Sequence, residues 1–135
     1  MSDDDEFLAW VNDECVAAER AMLSGDDGPR RAIWSRLEPV SVLGAWRNAV
    51  GRDAVVEAFE VLAASFADCT GFDLELISYD VNGDTAYTAG YERISASIDG
   101  EQRTFTLRAT QVYRREPEGW RIVHRHADSV TLPGR

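Results

Sequence analysis

Two dipeptides, Asn82-Gly83 and Asp99-Gly100, constrain this chain more than any other feature. Each accepts the positive φ angles of a tight two-residue hairpin turn, and such turns force the strands on either side to run antiparallel. Phe72 to Val81 and Thr85 to Ile98 flank the first turn, and Thr104 to Arg114 follows the second. A loop containing Pro117 and Gly119 then leads into Trp120 to Asp128, so the second half is predicted to be a four-stranded antiparallel meander. Gly90, in the middle of a long strand, marks a bulge or sharp bend and hence a sheet with a concave side.

Upstream, the hydrophobic period changes. Phe7, Leu8, Val11, Cys15, Ala18 and Met22 recur every three or four residues, which predicts a helix from Asp3 to Leu23. Ser2 caps its start, and Asp3, Asp4, Asp5 and Glu6 suit the positive end of its dipole. Ser24-Gly25-Asp26-Asp27-Gly28-Pro29 breaks it. A short helix is expected over Arg30 to Leu37, a short strand over Pro39 to Trp46, and a further helix over Arg52 to Ala67 with Val55, Val56, Phe59, Leu62, Ala63 and Phe66 on its buried side. Helices first and a curved antiparallel sheet afterwards define an α+β domain in which the helices pack on one face of the sheet. At 135 residues one domain is expected over 1–135, its helical part about 3–67 and its meander about 72–128. The cone between the two layers is the candidate pocket.

Charge and composition narrow the function classes. The chain has 24 Asp+Glu against 14 basic residues, all of them Arg, for a formal charge of -10, a field that repels phosphate backbones and anionic membrane surfaces. No nucleic-acid or membrane partner is expected. Cys15 and Cys69 lack metal-ligand spacing and read as buried free thiols. The acidic start MSDDDEF is unlike a signal peptide and no apolar run approaches membrane-spanning length, so a cytoplasmic location is expected.

In the last strand, WRIVHRHAD, alternation predicts that Trp120, Ile122, His124, His126 and Asp128 share one face and that Arg121, Val123, Arg125 and Ala127 share the other. Two imidazoles and a carboxylate on a pocket wall are candidate catalytic groups: His124 or His126 for proton transfer, Asp128 as orienter. The same residues also fit hydrogen-bonded wall positions without chemistry. As metal ligands the histidines lack a third partner, and neither a metal nor a cofactor is expected.

The chain resembles the SnoaL-like group of the nuclear transport factor 2-like superfamily, which shares its cystatin-like fold with ketosteroid isomerase. The resemblance rests on LRATQVYRREPEGWRIVHRHAD from Leu107 to Asp128, on GDTAYTAGYER from Gly83 to Arg93, and on PVSVLGAW followed by Gly51. It implies a cone of helices on a curved sheet, usually a homodimer, with a deep pocket inside. By position, Gln111 matches the place of the isomerase's buried acid and of an arginine in the calcium/calmodulin-dependent kinase association domain, and His124 and His126 match other pocket-lining positions. Between Ile33 and Trp46 no residue matches the isomerase's general-base aspartate, so a steroid isomerase mechanism is not implied.

On the parity that this match sets, Ala109, Gln111 and Tyr113 face inward together with Tyr87, Ala89 and Tyr91, and Gln111 with Tyr91 could bind a carbonyl or hydroxyl. Core aromatics with satisfied hydroxyls are the alternative. Trp34 and Trp46 lie in the segment that, by resemblance, lids the cone, where they would stack on a flat ligand or simply pack. Arg108, Val112, Val123 and Arg125 fall on the outward face, read as a self-complementary dimer surface. The expected function is binding of a small apolar organic molecule, either with cofactor-free isomerase, cyclase or dehydratase chemistry or as a non-catalytic dimeric ligand-binding or assembly module.

Overall fold

The second hairpin turn forms at Asp99-Gly100, as the sequence predicts. The first forms one residue later than expected, at Gly83-Asp84, because Asn82 still pairs with Thr85 as the last residue of its strand and Gly83 takes the positive φ of 62°. The computed structural model describes residues 2–130, and in it β3 (Phe66–Asn82), β4 (Thr85–Ile98), β5 (Glu101–Glu116) and β6 (Gly119–Ser129) make the predicted antiparallel meander. Asp99 and Gly100 turn the chain with φ of 51° and 84°, the left-handed pair that a two-residue hairpin requires. The sheet has two strands more than the meander, because β1 (Ser41–Leu43) and β2 (Asn48–Val50) extend it in the order β2-β1-β6-β5-β4-β3. β1 runs parallel to β6, opposite Ser41 to His124, Val42 to Arg125 and Leu43 to His126.

The predicted first helix is a rod in three pieces: α1 (Asp3–Trp10), a π-helical turn (Val11–Cys15) and α2 (Val16–Met22). Phe7, Val11 and Cys15 are spaced by four, more than the 3.6 residues of an α-turn, so in a pure α-helix they would drift round the rod. The wider π turn absorbs the excess and keeps all three buried with Ala18 and Met22. Ser2 Oγ accepts from the Asp5 backbone N–H at 3.2 Å, as expected of the cap. The short helix α3 is Gly28–Ile33, ending before the predicted Leu37 because Trp34 is extended and bridges to Ile122 of β6. The helix α4 (Arg52–Ser65) stops at Phe66, which opens β3 instead.

The helices cover the concave face of the sheet around two apolar clusters. The larger joins Phe7, Val11, Trp34, Val55, Phe59, Tyr113, Trp120 and Ile122, and the smaller joins Leu23, Phe66, Phe72, Ile94, Leu107 and Ala127. The sheet bends at Gly90, opposite a register shift between Leu76 and Ser78. A Cβ added at Gly90 would stand 2.2 Å from the Glu75 carbonyl oxygen, so the bend needs glycine for its close backbone approach. Among the described residues no helix is long and apolar enough to cross a membrane.

Gly90→Ala must push β3 away from β4 and is expected to lower stability by about 2–3 kcal/mol. Urea unfolding followed by circular dichroism measures it, and an unchanged midpoint would contradict the assigned contact.

Candidate functional site

A single extra residue decides which side chains of β6 enter the cone. Ile122 pairs with Tyr113 and His124 with Val112, so Val123 has no partner and β6 carries a bulge. Beyond the bulge the alternation is reversed relative to the sequence expectation. Trp120 and Ile122 are buried as predicted, but it is Arg125 and Ala127 that continue the buried face. His124 is half-buried, and His126 and Asp128 are exposed, all three on the outer face of the sheet. His124 Nδ1 lies 2.8 Å from Ser41 Oγ, and Asp128 accepts from Arg108 at 3.1 and 3.2 Å, not from a histidine.

The faces of β4 need a second correction. Directly opposed residues of antiparallel strands share a face, and the register opposes Thr88 to Gln111, Gly90 to Ala109 and Glu92 to Leu107. Ala109, Gln111 and Tyr113 do face inward, but their companions are Thr88 and Glu92, both buried, while Tyr87 and Tyr91 are turned to the outer face with Ala89. Tyr87 there pairs its hydroxyl with Ser78 Oγ at 2.7 Å, and the Arg93 guanidinium lies 5.5 Å from the Tyr91 ring. Of the residues assigned to a dimer surface, Arg108 and Val112 face outward, Arg125 is 5% exposed inside the cone, and Val123 packs against the larger core cluster.

The interior is bridged by a ladder of alternating charge. Arg125 donates to both oxygens of Glu92 at 2.7 and 2.8 Å and to Gln111 Oε1 at 3.1 Å. Gln111 Nε2 then donates to the Tyr113 hydroxyl at 2.7 Å, which meets Thr88 Oγ1 at 2.7 Å. From the helical side Arg30 grips Glu19 through Nε and Nη2, with its guanidinium 4.9 Å from the Phe59 ring, and Glu19 lies 3.8 Å from Arg125. Two cations and two anions balance, as enclosure requires, since an unpaired buried charge costs several kcal/mol. Room for the pair comes from small residues: Gly90, Ala109 and Ala127 lie in register across the three central strands, and Arg125 and Glu92 sit on opposite sides of that row.

These contacts and the burial that accompanies them shift the protonation equilibria of Glu19, Arg125, Tyr113 and Cys15. Burial alone would raise the Glu19 pKa, but Arg30 and then Arg125 outweigh it and hold the carboxyl below its ordinary value. Burial works against the Arg125 charge, yet Glu92 more than offsets it and the guanidinium is held protonated. The Tyr113 phenol and Cys15 thiol are pushed far up, chiefly by burial, and stay neutral. On the outer face, burial and then His126 lower the pKa of His124.

Little open space remains. A cavity of about 40 Å³ lies beside Glu19, Arg30, Glu92 and Arg125, walled by Met22, Leu62, Phe66, Ile94, Leu107 and Ala127, and one of about 20 Å³ lies beyond Glu19 and Glu92 toward Cys15 and Tyr113. The deep pocket expected from the sequence is largely filled, and what is left has room for a few waters. Trp46, 51% exposed, closes the mouth of the larger cavity edge-on to Phe66 and Phe105 with ring centroids 5.7 and 5.6 Å away. Trp34 is not at the mouth but deep in the core against Phe59. Glu19, Arg30 and Glu92 escaped the sequence reading. The available signal was Glu19 itself, a carboxylate inside the apolar stripe Cys15, Ala18, Met22.

The profile of the SnoaL-like domain matches residues 11–133. No curated protein matches the chain. Among solved structures, a Streptomyces avermitilis protein of the nuclear transport factor 2-like family, proposed to be a dehydratase, is 25% identical over 96% of this chain and 99% of its own, with a TM-score of 0.75. A ketosteroid isomerase-like protein of Erwinia carotovora is 16% identical, covering 93% and 97% of the two chains, with a TM-score of 0.72. A nuclear transport factor 2-like protein of Novosphingobium aromaticivorans with a cystatin-like fold is 22% identical, covering 97% and 89%, with a TM-score of 0.63.

Arg125→Met strands Glu92 and is expected to cost about 3–5 kcal/mol, most of it recovered in the double variant with Glu92→Leu. Chemical denaturation of the three proteins gives the comparison. Because the folded pKa of Glu19 lies below the unfolded value near 4.5, its stabilisation is fully present above that pH and is lost as pH falls through the folded value. The urea midpoint should therefore drop on acidification below about pH 4.5, and less steeply in Glu19→Gln.

Proposed function

The chain belongs to the SnoaL-like family, and on that footing we propose that it is a small-molecule-binding domain whose cone holds a largely apolar compound by an acceptor oxygen, without acid–base catalysis. The observation that carries this reading is the balanced ladder across the cone. Arg30 bonds through Nε and Nη2 and Arg125 through its two terminal nitrogens, so Arg30 Nη1 and Arg125 Nε have no protein acceptor among the described residues. Both side chains border the larger cavity, whose other walls are mainly aliphatic and aromatic. A ketone, aldehyde or amide oxygen suits these donors. A carboxylate would add a third anion to a site already neutral and would have to be desolvated at a cost of several kcal/mol.

Catalysis lacks its reagent there. General acid–base work needs a group that titrates near the operating pH, and the cone offers the Glu19 carboxyl held low, the Arg125 guanidinium held protonated, and a phenol and a thiol held neutral. The histidines and Asp128 stand on the other face. The dehydratase chemistry suggested for the Streptomyces relative would need a base that these residues do not supply. Entry of a ligand requires the Gly44–Arg47 turn, with Trp46, to swing off Phe66 and Phe105, because a cavity of about 40 Å³ is far below the size of an organic molecule.

Titration with cyclohexanone, followed by amide shifts, should move Gly44, Ala45, Ile94, Leu107 and Ala127, while methylcyclohexane moves them less. Ile94→Phe, which enlarges a cavity wall outside the row of small residues under the ion pair, should abolish the response. Equal shifts with both compounds, or none, would overturn the reading.

A second copy of the chain is the partner we propose for the outer face. Ile77 is 60% exposed and borders the same shallow depression as Tyr91, Arg108 and Thr110, with Tyr87 farther along β4 and Val112 on β5. An apolar surface of this kind is commonly an interface. Light scattering should give the dimer mass for the wild type and the monomer mass for Ile77→Glu; a monomeric wild type at all concentrations refutes it.

A further inference from the structure

We propose that His124 and His126 form a chelating site for a zinc-class divalent cation on the outer face of the sheet. Both lie beyond the bulge, where β6 is in regular register with its two neighbours: His124 stands opposite Ser41 and Val112, and His126 opposite Leu43 and Thr110. Residues two apart on a strand point the same way with Cα atoms about 6.6 Å apart, a separation over which two imidazole rings can lean together onto one ion. Imidazole nitrogen is a preferred donor for zinc, nickel and copper.

The surroundings fit that role. Ser41 Oγ is 2.8 Å from His124 Nδ1. In the tautomer whose Nδ1–H donates to this hydroxyl, the ring is oriented and the Nε2 lone pair is left for the metal, the outer-shell arrangement that metal-bound histidines use. Ser41 itself is placed by the parallel pairing of β1 with β6. The opposed Val112 and Thr110 bring no competing cation, and the nearby Arg108 is matched by Asp128, both of whose oxygens it engages. Asp128 is therefore not counted as a ligand. No group of three metal-binding side chains exists among the described residues, so water fills the remaining positions. The formal charge of -10 favours approach of a cation. The site adjoins the surface proposed for the second copy, because Val112 and Thr110 of β5 oppose His124 and His126, while Ile77 and Tyr87 lie farther away on β3 and β4.

The test is calorimetric titration of chelator-treated full-length protein with Zn²⁺ and, separately, Ni²⁺, with the histidine ring-proton resonances followed in parallel. One ion per chain is expected, shifting both rings. His124→Gln and His126→Gln should each abolish saturable uptake, and Ser41→Ala should keep one ion per chain but weaken it about tenfold. All three side chains lie on the outer face, and circular dichroism checks that the variants keep the fold. Uptake that survives both histidine substitutions would place the ion elsewhere, on the acidic first helix or on Cys69, and overturn the proposal, as would a wild type that takes up neither metal.

Discussion

A guanidinium enclosed by protein must find an anion within bonding reach, and for Arg125 that anion sits two strands away. β5 lies between β6 and β4, and Glu92 is offset along the sheet as well, so the ion pair has to pass over whatever β5 and its neighbours present at that level. They present Ala127, Ala109 and Gly90. Any larger side chain in that row would fill the space the two head groups occupy. Glu19 and Arg30 then join the charged centre to the helices, so one balanced set of charges ties the helical layer to the sheet.

This arrangement explains why the interior is nearly closed, and it underlies the proposal that the cone binds without proton transfer. Small residues on a concave sheet ordinarily leave a void, and here the void is occupied by charge. Each charge is held by an opposite one, with the Glu19 carboxyl kept below its ordinary value and the Arg125 guanidinium kept protonated. Beside the ladder, two N–H groups, Arg30 Nη1 and Arg125 Nε, lack a protein acceptor among the described residues and border the small apolar cavity that Trp46 closes.

The fold was readable because its determinants are local. A two-residue turn, a glycine at a bend and a helical stripe each announce themselves within a few residues, and the α+β cone follows from their order. The strand expected over Pro39 to Trp46 forms only as the three residues of β1, and β2, equally short, shows no period and passed unnoticed. The site was readable only where one strand sufficed. Ala109, Gln111 and Tyr113 face inward as expected, but the face of Tyr91 depends on which residue of β5 it opposes, and the face of His126 depends on an unpaired Val123. Neither fact is written in the strand that it governs. Likewise Glu19, Arg30, Glu92 and Arg125 lie far apart in the chain, and no spacing rule joins them.

The ladder also bears on how this sequence can drift. Losing one of its four charges strands another in the interior, whereas exchanging an opposed pair for apolar side chains of similar volume leaves nothing unpaired. Positions 19, 30, 92 and 125 thus behave less like four independent letters than like one word. A lineage that departs from it has to pass through a weakened intermediate or change two positions at nearly the same time, and the alanines and glycine beside them are free to enlarge only after it has done so.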